Sequence, residues 1–243
     1  MTAVQNALQN AAIGQANMFV LAAGTHLYTK PANLRSVNFL CVGAGGGGAS
    51  LELTVDETIG CGGNGGAGTA GSLTLSAADV PATFDIIVGA GGAAGAPPSA
   101  GGDTILDLPS QRIVPGGAAG EPAAIGAGVQ VADVSGAVAA PTGAWDWTAE
   151  GQRGGSVFGD WKGIDATVGV FILGGNASSL YPGDFPFVAY VSSGNNGNFD
   201  GQVPTNPGVG GMGGVAWRTD ALAEAAGSAG ADGIVIVTEY LAL

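Results

Sequence analysis

The chain predicts an all-β fold, an antiparallel, jelly-roll-like β-sandwich with long glycine-rich loops and an inserted lobe. Three observations carry this. Val37–Val42 and Gly233–Leu241 are β-branched or aromatic runs of strand length without proline. They are expected to lie side by side in one sheet, although nearly two hundred residues separate them. Between them lie many short alternating stretches bounded by glycine, asparagine and proline, the spacing of a sandwich. Finally, 47 of the 243 residues are glycine, nearly a fifth of the chain, against about 7% in ordinary proteins.

Each element has its own signal. Residues 1–16 form an N-terminal arm with Val4, Leu8, Ala11, Ala12 and Ile13 near helical spacing; it reads as helix, coil or a frayed end. Leu27 and Thr29 alternate with His26 and Tyr28 in a short strand that Pro31 ends. Leu34–Val42 is the first long strand and runs into four glycines, Gly45–Gly48. Leu51–Val55 alternates and reads as a hairpin arm on an exposed loop. In the stretch after it, glycines fall at 60, 63 and 66 and at 62, 65, 68 and 71. Two registers of three are the mark of an extended polyproline-II-like helix packed against neighbours, or of a flexible loop. Ser72–Ser76 and Phe84–Val88 are strands, and the second again runs into Gly89-Ala90-Gly91-Gly92, as Val42 runs into its glycines. Two strands entering one glycine-lined end of the sandwich are expected. Gly102–Leu106 and Arg112–Val114 are short strands. Aromatics concentrate from 120 to 229, with strand patterns at Val168–Leu173 and Phe187–Val191; Thr219–Ala226 reads as the one internal helix, with Asp220 in its first turn and Gly227 beyond its end. The domains are then 1–16 as arm, 17–119 with 230–243 as scaffold, and 120–229 as inserted lobe.

Composition excludes several function classes. The net charge is −13, with 19 acids, 6 bases and no basic cluster, so neither nucleic acid nor an anionic membrane surface suits it. Charged residues are 10% of the chain and hydrophobic ones 46%. That charge is low against about 25% in an average domain and points either to surface buried in an assembly, further copies above all, or to Gly/Ala/Ser backbone presented to water. No apolar run is long enough for a membrane helix, and the N-terminus lacks a signal-peptide pattern; a soluble protein made in a cytoplasm is expected. Cys41 and Cys61 read as two reduced thiols, Cys41 buried, rather than a disulfide. One histidine leaves no zinc set, and no calcium loop exists; no metal or cofactor is expected.

Catalytic motifs are weak. Gly43–Gly48 follows a strand but opens no helix pattern, so it is no dinucleotide loop. Gly154–Gly159 is not a nucleophile elbow. Asp146 with Glu150, or Asp160 with Asp165, would be pairs for glycoside hydrolysis, but scattered surface acids explain them more simply. No enzyme activity is expected. The contact candidates are Trp145, Asp146, Trp147, Trp161, Tyr181, Asn195, Asn196 and Asn198. Aromatic faces stack on sugar rings while Asn and Asp meet hydroxyls; alternatively, the aromatics form the lobe's core or a subunit interface.

Taken in order, several pieces resemble the glycine-rich domain of bacteriophage tail fibres and other tail-associated virion proteins. They are Thr29-Lys30-Pro31, the strand ending Val42–Gly48, the cluster Gly60–Gly71, the strand ending Val88–Gly92, Gly101-Gly102-Asp103-Thr104, and the closing Gly230–Tyr240. The likeness spans about 24–119 and 230–243. It implies a structural virion protein, a tail fibre or fibre tip contacting the host surface, assembled as a homotrimer with other virion proteins, with a host cell-surface glycan as the receptor class. An architectural virion component, a decoration or connector protein, is the alternative; a glycan-active enzyme is a distant third.

Overall fold

A computed structural model describes residues 15–55, 58–126, 130–132, 139–151, 157–160, 169–172, 196–218 and 223–242. The described residues are strand, turn and extended chain, with no helix. One half is a two-sheet sandwich. Its first sheet orders β1 (Gln15–Leu21), β18 (Ile234–Leu241), β3 (Leu34–Val42), β6 (Ala70–Ser76) and β12 (Trp147–Ala149), all antiparallel. Its second orders β2 (Gly24–Thr29), β7 (Thr83–Val88), β8 (Thr104–Leu106) and β9 (Arg112–Val114). The closing strand therefore does pair with the opening one: Val235 lies opposite Cys41 and Val237 opposite Phe39.

The period-two patterns place the core. Val37, Phe39, Cys41, Leu73, Val235 and Val237 face inward from the first sheet onto Tyr28, Phe84, Ile86, Leu106 and Val114 of the second. Phe39 meets Tyr28 and Phe84 edge-on, with ring centroids 5.6 and 5.8 Å apart, the arrangement aromatic quadrupoles favour. Cys41 and Cys61 form no disulfide and both are buried.

The other half carries smaller sheets. β5 (Thr58–Cys61) lies between β10 (Ala124–Gly126) and β16 (Val215–Arg218), which pairs onward with β15 (Asn196–Phe199). β4 (Leu51–Leu53) pairs with β17 (Ala223–Ala225), and β11 (Gln130–Ala132), β13 (Val157–Asp160) and β14 (Gly169–Ile172) form a third. Leu51, Leu53, Ala216, Ala223 and Ala225 make a second, small core.

Between the two halves runs the glycine-rich chain, and it is ordered. Segment 43–49 sits at the centre of an array. Its N–H groups donate to three neighbours in strict rotation: Gly43, Gly46 and Ala49 to Thr69, Gly66 and Gly63; Ala44 and Gly47 to Gly102 and Ser99; Gly45 and Gly48 to Ala231 and Ser228. These bonds span 2.8–3.1 Å. Its carbonyls accept in rotation from three others: Ala44 and Gly47 from Gly117 and Gly120, Gly45 and Gly48 from Gly92 and Gly95, Gly46 and Ala49 from Gly211 and Gly214. A period of three with no internal bonds is the polyproline-II geometry. Here every N–H of the central segment, and every carbonyl from Ala44 to Ala49, is satisfied by one of six surrounding segments, as burial demands. Close approach is what requires glycine. A Cβ on Gly62, Gly65 or Gly68 would strike the carbonyl of Ala49, Gly46 or Gly43 respectively, so the register of three seen in the sequence is the face that this segment turns to the centre.

Two expectations need correction. Ala223–Ala225, inside the expected helix 219–226, is strand β17; the rest of that stretch up to residue 222 lies outside the described residues. A small-residue strand is needed there to seat against Leu51–Leu53, which overrides helix propensity. For the same reason Leu51–Leu53 is no exposed hairpin arm: Leu51 and Leu53 are buried, and their partner is distant in sequence. Gln15 and Ala16, assigned to the arm, begin β1; residues 1–14, and the pattern at Phe187–Val191, lie outside the described residues. Segments 208–214 and 226–229, counted with the lobe from sequence, bond directly to the array.

Candidate functional site

Asp232 and Asp103 show how the polar residues of the scaffold are used. Asp232 Oδ1 accepts from Gly91 N (2.8 Å) and Asp103 Oδ1 from Gly116 N (2.9 Å). Asn64, fully buried, accepts from Gly213 N at 2.8 Å. Thr104, also fully buried, accepts from Gly89 N and donates to Val42 O at 2.8 Å. These side chains complete backbone hydrogen bonding where the rotation of segments lapses. Sequence reading missed this role; the signal was the scatter of single Asn, Thr and Asp among glycines.

The contact candidates divide. Trp145 is half-buried, its ring lies over Gly71, where a Cβ would collide with it, and its Nε1 donates to Thr142 O at 3.0 Å. It packs against the sandwich core and is a lid rather than a free face. Asp146 is exposed but accepts from Thr74 N at 2.6 Å, while its own N–H donates to Ser72 O. These bonds pin the turn that leads into β12. Trp147, held by pairing with Ser72, is 44% exposed. Asn196 lies in β15 opposite Arg218, and exposed Asn198 in the same strand donates from Nδ2 to Glu224 O. Trp161, Tyr181 and Asn195 lie outside the described residues. Trp145, Asp146 and Trp147 thus sit together at the β12 edge of the first sheet, while Asn196 and Asn198 belong to a different sheet. Trp217, a fourth tryptophan, is buried.

Among the described residues, no group of three or more His, Cys, Asp or Glu could hold a metal ion, and no helix is long and apolar enough to cross a membrane. Among the described residues, two ionisable groups are strongly perturbed, Tyr28 and Cys41, both in the sandwich core. Burial, then the hydrogen bond to Glu239, raises the Tyr28 hydroxyl well above its ordinary range. Burial does the same to the Cys41 thiol. Tyr28 donates to Glu239 Oε1 at 3.0 Å inside the sandwich. This pair is a structural contact between the two sheets.

What the geometry defines is an all-β protein whose strands feed a packed array of glycine-rich chain and leave it again as further strands. The chain belongs to the glycine-rich domain family, whose sequence model matches residues 21–240. No curated protein matches the chain.

Proposed function

We propose that this is a structural protein of a bacteriophage virion, a tail fibre or fibre-tip component that contacts the host surface as a homotrimer among other virion proteins, without catalytic activity. The observation that carries the reading is the array. Segment 43–49 joins a sandwich strand, β3, to a strand of the other half, β4; segments 62–69 and 226–233 return. At about 3.1 Å per residue, seven residues give a spacer of roughly 20 Å. Such a spacer is stiff because its backbone is bonded on every side, and it displays loops at a distance from an anchoring body, where recognition residues belong. The ordered likeness of the glycine runs to tail-fibre domains supports the same reading.

Trp147 is the described aromatic candidate with a solvent-facing ring, and a cell-surface glycan is the receptor class its face suits. The test is adsorption of purified, fluorescently labelled protein to a panel of bacterial strains, with Trp147→Ala beside it. Saturable adsorption to some strains, weakened at least tenfold by the substitution without a change in melting temperature, supports the reading. Absence of adsorption alongside incorporation into particles favours the architectural alternative. That alternative has its own support in Trp145 and Trp217, whose rings serve packing.

A further inference from the structure

We propose that copies of this chain meet through the outward face of the five-stranded sheet, an inference that rests on the homo-oligomer reading and names its surface. The register defines that face. Val20, Ile236, Leu40, Ser72 and Trp147 form one row straight across β1, β18, β3, β6 and β12. Met18, Thr238, Asn38 and Thr74 form the next, and Ala16, Tyr240, Ser36 and Ser76 the one beyond. None of these residues is charged, in a chain of net charge −13. Met18 is 72%, Val20 56% and Tyr240 45% exposed, and with Trp147 they are four of the nine large apolar side chains that stand exposed among the described residues. Among the described residues, two acids hydrogen-bond to β6 at the border of this face: Asp79 accepts from Ser76 Oγ, and Asp146 from Thr74 N.

The charge distribution selects the occupant. A strongly acidic protein associates with itself only where its carboxylates do not face one another, and on this face the carboxylates are confined to the β6 border. A basic partner would find no acid in the rows across β1, β18 and β3 to pair with. Size is at the threshold. Five strands about 4.8 Å apart and three rows about 7 Å apart cover roughly 500 Å² per copy. Two such faces bury about 1,000 Å², the minimum for a specific interface. β1 is also an edge strand without charge or proline, an unprotected edge of the kind that proteins otherwise shield. The apolar centre of the face lies at β1, β18 and β3. Trp147 stands at its far rim, on edge strand β12.

Sedimentation velocity on the full chain and on a Met18→Glu/Val20→Glu variant tests this. The expected result is an oligomeric parent and a variant whose dissociation constant is raised at least about 30-fold, with its melting temperature kept. A monomeric parent overturns both the oligomer and the face. An oligomeric parent with an equally oligomeric variant overturns the face alone. Should the double variant misfold, Val20→Cys serves instead, because Cys41 and Cys61 are buried. Its introduced thiol is expected to resist maleimide in the oligomer and to react on dilution. Equal reactivity in both states overturns the proposal. Protection that persists in a monomer and disappears when residues 1–13 are removed assigns the face to the N-terminal arm and also overturns it.

Discussion

Single glycines in this protein act as spacers of atomic thickness. A Cβ on Gly65 would overlap the carbonyl of Gly46, and backbone has nowhere to retreat inside a six-neighbour array. Gly65→Ala is therefore expected to cost about 3 kcal/mol or more, read as the urea midpoint at constant slope. Gly95→Ala, whose nearest contact would be Pro97 O at 3.0 Å, should cost clearly less. Thr104→Val keeps the shape but leaves the Gly89 N–H without its acceptor, an expected loss of about 1–3 kcal/mol. Tyr28 adds a pH signature. Its hydroxyl is held protonated by burial and Glu239, so its folded pKa is raised. The stabilisation is complete below the ordinary tyrosine value near 10 and is lost as pH rises above it, because the unfolded chain then binds fewer protons than the folded one. Unfolding free energy measured from neutral to strongly alkaline pH should fall above about pH 10, and Tyr28→Phe should flatten that part of the decline while lowering stability at neutral pH.

At the scale of elements, period-two patterns translated directly into strands β3, β6, β7 and β18, because each buries one face against the opposite sheet. Where a side chain is too small to carry a pattern, the element took its form from its neighbour. Ala223–Ala225 is a strand because Leu51–Leu53 offers it an edge and a pocket. Leu53 is fully buried there, so Leu53→Ala should cost about 2–5 kcal/mol, measured by thermal unfolding. β18 has a larger role. It lies between β1 and β3, and the chain before it donates to 208–214 and 89–92 within the array. A chain ending at residue 233 should show no cooperative unfolding transition in calorimetry.

On the scale of the whole molecule, sandwich and smaller sheets are coupled mainly through backbone, with side chains such as Asn64, Thr104 and Asp232 completing its hydrogen bonds. The central segment exchanges no group with water, since each N–H and carbonyl from Ala44 to Gly48 is paired with a neighbouring segment. These amides should exchange with deuterium only through global unfolding. Those of edge strand β1, bonded on one side, should exchange faster under the same conditions. The stiffness needed to hold contact residues away from an anchor and this exchange pattern have one physical origin, and mass-resolved exchange reads both.

The all-β class, the pairing of the closing strand with Val37–Val42 and the threefold glycine register at 62, 65 and 68 were legible in the residues alone. Each rests on side chains, or on their required absence, at a regular period. It took the packed fold to select the six segments that surround 43–49, to lay Trp145 over Gly71 while Trp147 faces solvent, and to make Ala223–Ala225 a strand. The reason is that glycine carries no side chain to name its partner. Neighbours in the array are chosen by where the flanking strands deliver each segment, and that placement is a property of the whole packed sandwich.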